Sequence, residues 1–187
     1  MQEAKLTIVG VDISKAYFDF YFTAHDGKKT KGRLSNDKEG FKALIKMISS
    51  DCWIVMEASG PYYYQLSCSL YEKGVKVSVI IPLVIKRFMQ MQLKRVKTDS
   101  ADAESIAAYG ELVELKPWQP LKENYLKIKQ WYTIRKQLVK HLLATTQQKE
   151  AFLATGKLDS KIRAALEEEI MQLKKRSAAS KSRWRNL

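Results

Sequence analysis

Lys5-Leu6-Thr7-Ile8-Val9-Gly10-Val11-Asp12 is an apolar run, rich in β-branched residues, that stops at a carboxylate. It predicts a strand covered on both faces, because a strand with one solvated face alternates apolar and polar residues instead. Two more strands are predicted close behind it, an aromatic one over residues 17–23 and a more polar one over residues 29–34, joined by a hairpin turn at Asp26-Gly27. Ser35, Asn36 and Asp37 offer N-caps to a helix in which Phe41, Leu44, Ile45 and Ile48 recur at helical spacing. Cys52-Trp53-Ile54-Val55-Met56-Glu57 is a second short apolar strand ending in an acid. Ser59-Gly60-Pro61 opens a helix that Gly74 stops, residues 75–81 form a further strand, Pro82 starts the next helix, and Thr98-Asp99-Ser100 caps one over residues 101–112.

The predicted order is therefore β-β-β-α-β-α-β-α-α. Three strands joined by short turns and followed by alternating helices and strands is the order of the ribonuclease H-like folds, an α/β architecture with a mixed sheet flanked by helices. Pro117 and Pro120 mark a linker, so the expected division is a domain over residues 1–116 and a helical region over residues 117–187. In the second part, residues 123–154 lack proline and glycine and carry an apolar stripe at Trp131, Ile134, Leu138 and Leu142. Thr155-Gly156 breaks that helix, and Asp159-Ser160 caps another with Ile162, Leu166, Ile170 and Leu173 on one face. Narrow stripes with charged backs predict an all-α hairpin or coiled coil and, across the seam, a homodimer.

Charge separates the two parts. Residues 1–116 hold 17 lysines and arginines against 14 acids, a net +3, whereas residues 117–187 hold 16 against 6, a net +10. A basic region of that strength calls for a polyanion, and nucleic acid is the usual one. Cys52 and Cys68 lack the spacing of a zinc or redox pair, and His25 and His141 are far apart, so a disulfide framework and a histidine-rich metal site are not expected. No stretch approaches the length of a membrane span, and the first residues do not read as a signal peptide; a cytoplasmic protein of a bacterium or archaeon is the expectation.

Asp12 and Glu57 each end a strand, the place where ligands gather in an open α/β sheet. Asp99 and Asp102 are three apart at the start of a helix, so they share a face. Four carboxylates from three elements repel one another unless hard cations neutralise them, and Mg²⁺ or Mn²⁺ takes carboxylate oxygens while bridging to phosphates. Lys86, Arg87, Lys94, Arg95 and Lys97 precede the third acidic block and are candidates to hold phosphates beside it. Ser14 and Ser59 lie beside the acids but read as caps, since neither has a base partner in its motif.

The blocks Gly10-Val11-Asp12-Ile13-Ser14-Lys15, Met56-Glu57-Ala58-Ser59-Gly60-Pro61-Tyr62-Tyr63 and Lys97-Thr98-Asp99-Ser100-Ala101-Asp102-Ala103 resemble the three acidic blocks of the DEDD insertion-sequence transposases, which include the Piv-type DNA invertases and whose first domain is similar to the resolvase RuvC. The resemblance implies that Asp12, Glu57, Asp99 and Asp102 are the catalytic, metal-binding acids and that magnesium-dependent cutting and joining of DNA is the activity, guided in some members by a structured RNA. The family continues into a second domain that supplies a nucleophilic serine, where this chain ends at Ser182-Arg183-Trp184-Arg185-Asn186-Leu187; complete recombination by residues 1–187 alone is therefore not expected. Three other readings compete. A stand-alone RuvC-like nuclease would cut branched DNA without RNA, and a non-catalytic binding and dimerisation module would bind without cutting. A sugar kinase or actin-like ATPase would need glycine-rich phosphate loops, which eight glycines do not supply.

Overall fold

The computed structural model describes residues 6–48, 51–92 and 99–185. They form two compact units divided between Pro120 and Leu121. In chain order the elements of the first unit are β1 (Thr7–Ile13), β2 (Tyr17–Thr23), β3 (Lys29–Ser35), α1 (Lys38–Met47), β4 (Cys52–Glu57), α2 (Tyr63–Glu72), β5 (Lys76–Ile80), α3 (Pro82–Met91) and α4 (Asp99–Leu112). The strands lie in the order β3-β2-β1-β4-β5. β1 pairs antiparallel with β2, and β2 with β3, while β4 runs parallel to both β1 and β5. An antiparallel three-stranded meander extended by two parallel crossover strands is the ribonuclease H-like mixed sheet.

Alternation along the strands divides two layers. Val9, Val11 and Ile13 of β1, Phe18, Phe20 and Phe22 of β2, and Ile54 and Met56 of β4 bury themselves against Phe41 and Leu44 of α1 and Leu66 and Leu70 of α2. The intervening positions face the other way. Tyr21 packs on Ala103 and Ala107 of α4, and Val55 on Ile106 of α4 and Ile85 of α3, with Ile8 touching both groups. Both faces of β1 are thus covered, which is why it reads as a nearly unbroken apolar run.

Local chemistry sets the boundaries. Gly27 takes φ +83 in the β2–β3 turn, where Gly27 N–H donates to the Ala24 carbonyl. The Asp37 side chain caps α1 by accepting from the Glu39 and Gly40 amides, and those bonds, the Gly40 amide first and then the Ser35 hydroxyl, hold its carboxyl below the usual carboxylate range. Asp99 is already helical, two residues before the expected start, so it belongs to α4 and does not cap it.

Residues 117 and 118, expected as the start of a linker, group with the sheet unit, as does Lys116 before them. Trp118 N–H donates to the Val77 carbonyl at 2.7 Å, and Ser78 Oγ donates to the Lys116 carbonyl at 2.7 Å. The segment lies along β5, the strand at that edge of the sheet, and supplies partners to backbone that an edge leaves open. Trp118 sets its ring edge-on to Tyr64 and Tyr71.

The second unit is a hairpin of α5 (Glu123–Ala154) and α6 (Ser160–Arg185). The helices are antiparallel: Arg183 lies over the Trp131 ring at one end, and Lys149 bridges Glu167 at 2.7 Å towards the other. Asp159 caps α6 through the Lys161 and Ile162 amides. Leu138 and Leu173 are buried in this unit, while Ile134 and Ile162 stay nearly half exposed. Among the described residues no helix is long and apolar enough to cross a membrane. Cys52 and Cys68 are both free thiols, and burial pushes both up from the ordinary thiol range.

Candidate functional site

The register of the sheet places charged residues in one row. Arg33 of β3 pairs with Asp19 of β2, and Asp19 pairs with Asp12 of β1. Val11 pairs with Met56, so the next positions along the parallel ladder are Asp12 and Glu57. Asp12 and Glu57 therefore neighbour each other at the carboxyl ends of adjacent parallel strands. Their alternation with Val11 and Met56, which face α1 and α2, puts both on the side that α4 covers.

Gly10 decides how α4 sits on that side. A Cβ at position 10 would lie 2.1 Å from the Ala103 carbonyl oxygen and 2.4 Å from the Ala107 amide nitrogen. Only a residue without a side chain lets the helix backbone pass this close. The helix thus crosses β1 two residues before Asp12, and Asp102 stands next to Ala103 at that crossing. Asp102 is half-buried, with its Oδ1 inaccessible to solvent. Asp99 belongs to the same helix, and its side chain lies outside the described residues.

The turns around the row are pinned by hydrogen bonds. Ser59 Oγ donates to Glu57 Oε1 at 2.8 Å. Ser14 Oγ donates to the Tyr17 carbonyl at 2.7 Å and closes the β1–β2 turn. Asn36 Nδ2 donates to the Ser14 carbonyl at 2.9 Å and to the Tyr62 carbonyl at 3.3 Å, tying the turn after Asp12 to the loop after Glu57. Neither serine caps a helix, the role read for them in the sequence: Ser14 closes a turn and Ser59 holds Glu57, while α2 starts after Tyr62 with no side-chain cap. Among the described residues, no three His, Cys, Asp or Glu side chains are grouped closely enough to hold a metal ion. The backbone brings Asp12, Glu57 and Asp102 to one region; the described side chains do not form a finished cage.

Lys86 and Arg87 are exposed on α3, with Arg87 Nη1 donating to Gln90 Oε1 at 3.4 Å. Lys94, Arg95 and Lys97 lie outside the described residues. Tyr63 and Tyr64 are half-buried against each other and Trp118, and Tyr62 is exposed.

Sequence reasoning missed Asp19 and Arg33. Arg33 Nε donates to Asp19 Oδ1 at 3.0 Å and Nη2 to Oδ2 at 2.8 Å, while the guanidinium lies 3.8 Å over the Tyr17 ring. Asp19 is a fourth described carboxylate beside Asp12, Glu57 and Asp102, but the bidentate pair occupies both its oxygens and offsets its charge. The signal was present in Tyr17-Phe18-Asp19-Phe20-Tyr21-Phe22: an acid between phenylalanines at period two must point away from the layer they enter.

Residues 9–156 match the model of a family described as "Transposase", the DEDD transposases of IS110 type. The chain is 30% identical over 167 residues to the pilin gene-inverting proteins of Moraxella bovis and Moraxella lacunata, covering 84% of this chain and 51% of each relative. It thus spans about half the length of the curated relatives it matches. Two solved structures are similar at 14% identity: Thermus thermophilus RuvC in complex with a Holliday junction substrate, with TM-score 0.41 over 61% of this chain and 100% of that one, and a further RuvC structure from that organism, with TM-score 0.39 over 60% and 100%.

Proposed function

The chain belongs to the DEDD insertion-sequence transposase family, and from that premise we propose that its sheet unit is the metal-dependent nuclease domain of a DNA recombinase. Asp12, Glu57, Asp99 and Asp102 are the residues that hold its divalent cations, Mg²⁺ or Mn²⁺. The observation that carries the reading is the adjacency of Asp12 and Glu57 in the parallel ladder, beneath the helix that Gly10 admits and that carries Asp99. The donor set is all carboxylate, the hard oxygen chemistry that these cations prefer. When bound, such ions polarise a scissile phosphate and neutralise the charge that develops on it. The protein's own part is to orient the oxygens: Ser59 fixes one Glu57 oxygen, and Asn36 holds the two strand-end loops together.

The helical unit supplies the second half of the reading. Its net +10 over residues 117–187 suits a phosphate backbone, in duplex DNA or in a structured guide RNA, with affinity that falls steeply with salt and little sequence preference. A soluble, cytoplasmic site of action follows from a nucleic-acid target. Thermal melting with and without cation tests the metal part. At a hundredfold excess over Kd, Mg²⁺ or Mn²⁺ should stabilise the chain by about 2.7 kcal/mol, a rise of roughly 5–10 °C for a protein of this size. Binding of nucleic acid with no cation shift at all would leave a non-catalytic binding module as the better description.

Leu138 is buried within the helical unit and leaves little surface of its own for a second copy. A second stripe on α5, Tyr125, Ile128, Tyr132 and Val139, keeps heptad spacing except at Arg135 and is preceded by Leu121 just before the helix; its tyrosines remain more than half exposed. Four of these, with Lys129, line a shallow groove of about 500 Å³. We assign the homodimer seam to this stripe. Tyr132→Asp should give monomers by light scattering at tens of micromolar while leaving far-UV helicity intact; a monomeric unmutated chain would overturn the assignment.

A further inference from the structure

We propose that Lys29, Lys31 and Arg33 form a phosphate-tracking ladder on edge strand β3 that leads a nucleic-acid strand to the acidic row at Asp12. The idea rests on the nuclease reading above for its destination, but not for the binding itself.

Three observations carry it. First, the cations share a face. Lys31 pairs with Tyr21 and Arg33 with Asp19, whose side chains lie on the α4 side of the sheet, and Lys29 pairs with Thr23 in the same alternation. The opposite face of β3 is spent on packing: a Cβ at Gly32 would meet the Phe20 ring at 2.9 Å, and Leu34 packs into the phenylalanine layer. Helix α4 packs on β1, β2 and β4, and all three cations are exposed. Second, side chains two apart on a strand stand roughly 6.6 Å apart, close to the separation of successive phosphates along an extended strand. Third, the ladder ends on a built element. Arg33 is locked by both Asp19 oxygens and by the Tyr17 ring, and it lies in the same sheet row as Asp19, Asp12 and Glu57.

The electrostatics explain why such a ladder is needed. A cluster of carboxylates repels the polyanion it must act on, and cations on its flank offset part of that repulsion within a Debye length, about 8–10 Å at ordinary salt. Arg33 neutralises Asp19, so Lys29 and Lys31 carry the ladder's net charge. Contact with phosphates alone predicts tracking without base preference.

The test is fluorescence anisotropy with the full chain in metal-free, EDTA-containing buffer. Labelled duplex DNA, single-stranded DNA and RNA serve as separate probes. Lys29→Gln/Lys31→Gln should weaken binding about tenfold at ~0.1 M salt, and should lower the slope of log K against log salt by about 1.4–1.8, the loss of two phosphate contacts. Lys38→Gln/Lys46→Gln removes the same charge from exposed sites on α1, across the sheet, and should change affinity less than about twofold. The probe whose binding falls most identifies the strand. Equal losses from both variants, or no loss on any probe, would overturn the ladder and leave these lysines as guards against edge pairing. Cation-dependent melting of the same variants keeps the two ideas apart: an intact metal shift with lost strand binding supports the ladder, and an absent metal shift in the unmutated chain counts against the carboxylate reading alone.

Discussion

Replacing Gly10 by alanine is expected to lower stability by about 3 kcal/mol, the upper part of the range for overpacking, and to cut the melting temperature by roughly 6–12 °C. The added methyl has no flexible neighbour to displace. It meets the Ala103 carbonyl and the Ala107 amide, both helix backbone, so α4 must lift as a body from β1. That movement opens the contacts of Ala103, Ala107 and Ile106 with Tyr21, Ile8 and Val55. It also carries Asp99 and Asp102 away from Asp12, so the variant should lose its cation-dependent stabilisation along with its packing. Urea unfolding and metal-dependent melting measure the two effects separately. A Gly10→Ala protein with unchanged midpoint would show that the helix does not cross the strand at this place, and the geometry of the acidic row would fall with it.

Most of the element order was legible because its signals are local. The Asp26-Gly27 turn, the Asp37 and Asp159 caps, and Gly74 with its φ of +74 each act within a few residues. The acids at the ends of β1 and β4 were legible for the same reason: a strand that stops at a carboxylate shows it directly. Their adjacency was not, since it depends on β4 pairing in parallel with β1 in one particular register, which is a long-range fact. Asp19 and Arg33 escaped notice because the pair forms across two strands, fourteen residues apart. The docking of residues 117 and 118 was not legible because Pro117 signals an irregular backbone and says nothing about whether that backbone lies on a sheet edge. On α5, two apolar stripes compete, one through Leu138 and one through Tyr132. Sequence reading picked out only the first, because the second is broken by Arg135 and carried by tyrosines that exposure brings to notice; Leu138 is buried within the helical unit.

Asp12→Asn and Asp19→Asn should part company completely, although the two residues face each other across the β1–β2 ladder. Asp12 borders Glu57, and Asp102 stands at the helix crossing above, so amidation at position 12 lowers the acidic charge of this region. The variant's cation-dependent rise should vanish, and any Mg²⁺-dependent strand cleavage should drop at least about a hundredfold, the scale of removing one preorganised electrostatic group. Asp19→Asn should do the reverse. It removes the charge and one of the two acceptor oxygens of a bidentate pair in which Asp19 is buried and Arg33 is half exposed. The expected loss is about 1–2 kcal/mol, kept low because solvent screens the exposed guanidinium, while the cation shift persists. Melting curves of the two variants, each with EDTA and with Mn²⁺, decide the matter. Retention of the full cation shift by Asp12→Asn would remove Asp12 from the metal site. Loss of the shift in Asp19→Asn would mean that the Arg33 pair does not set Asp19 apart from the metal-binding acids.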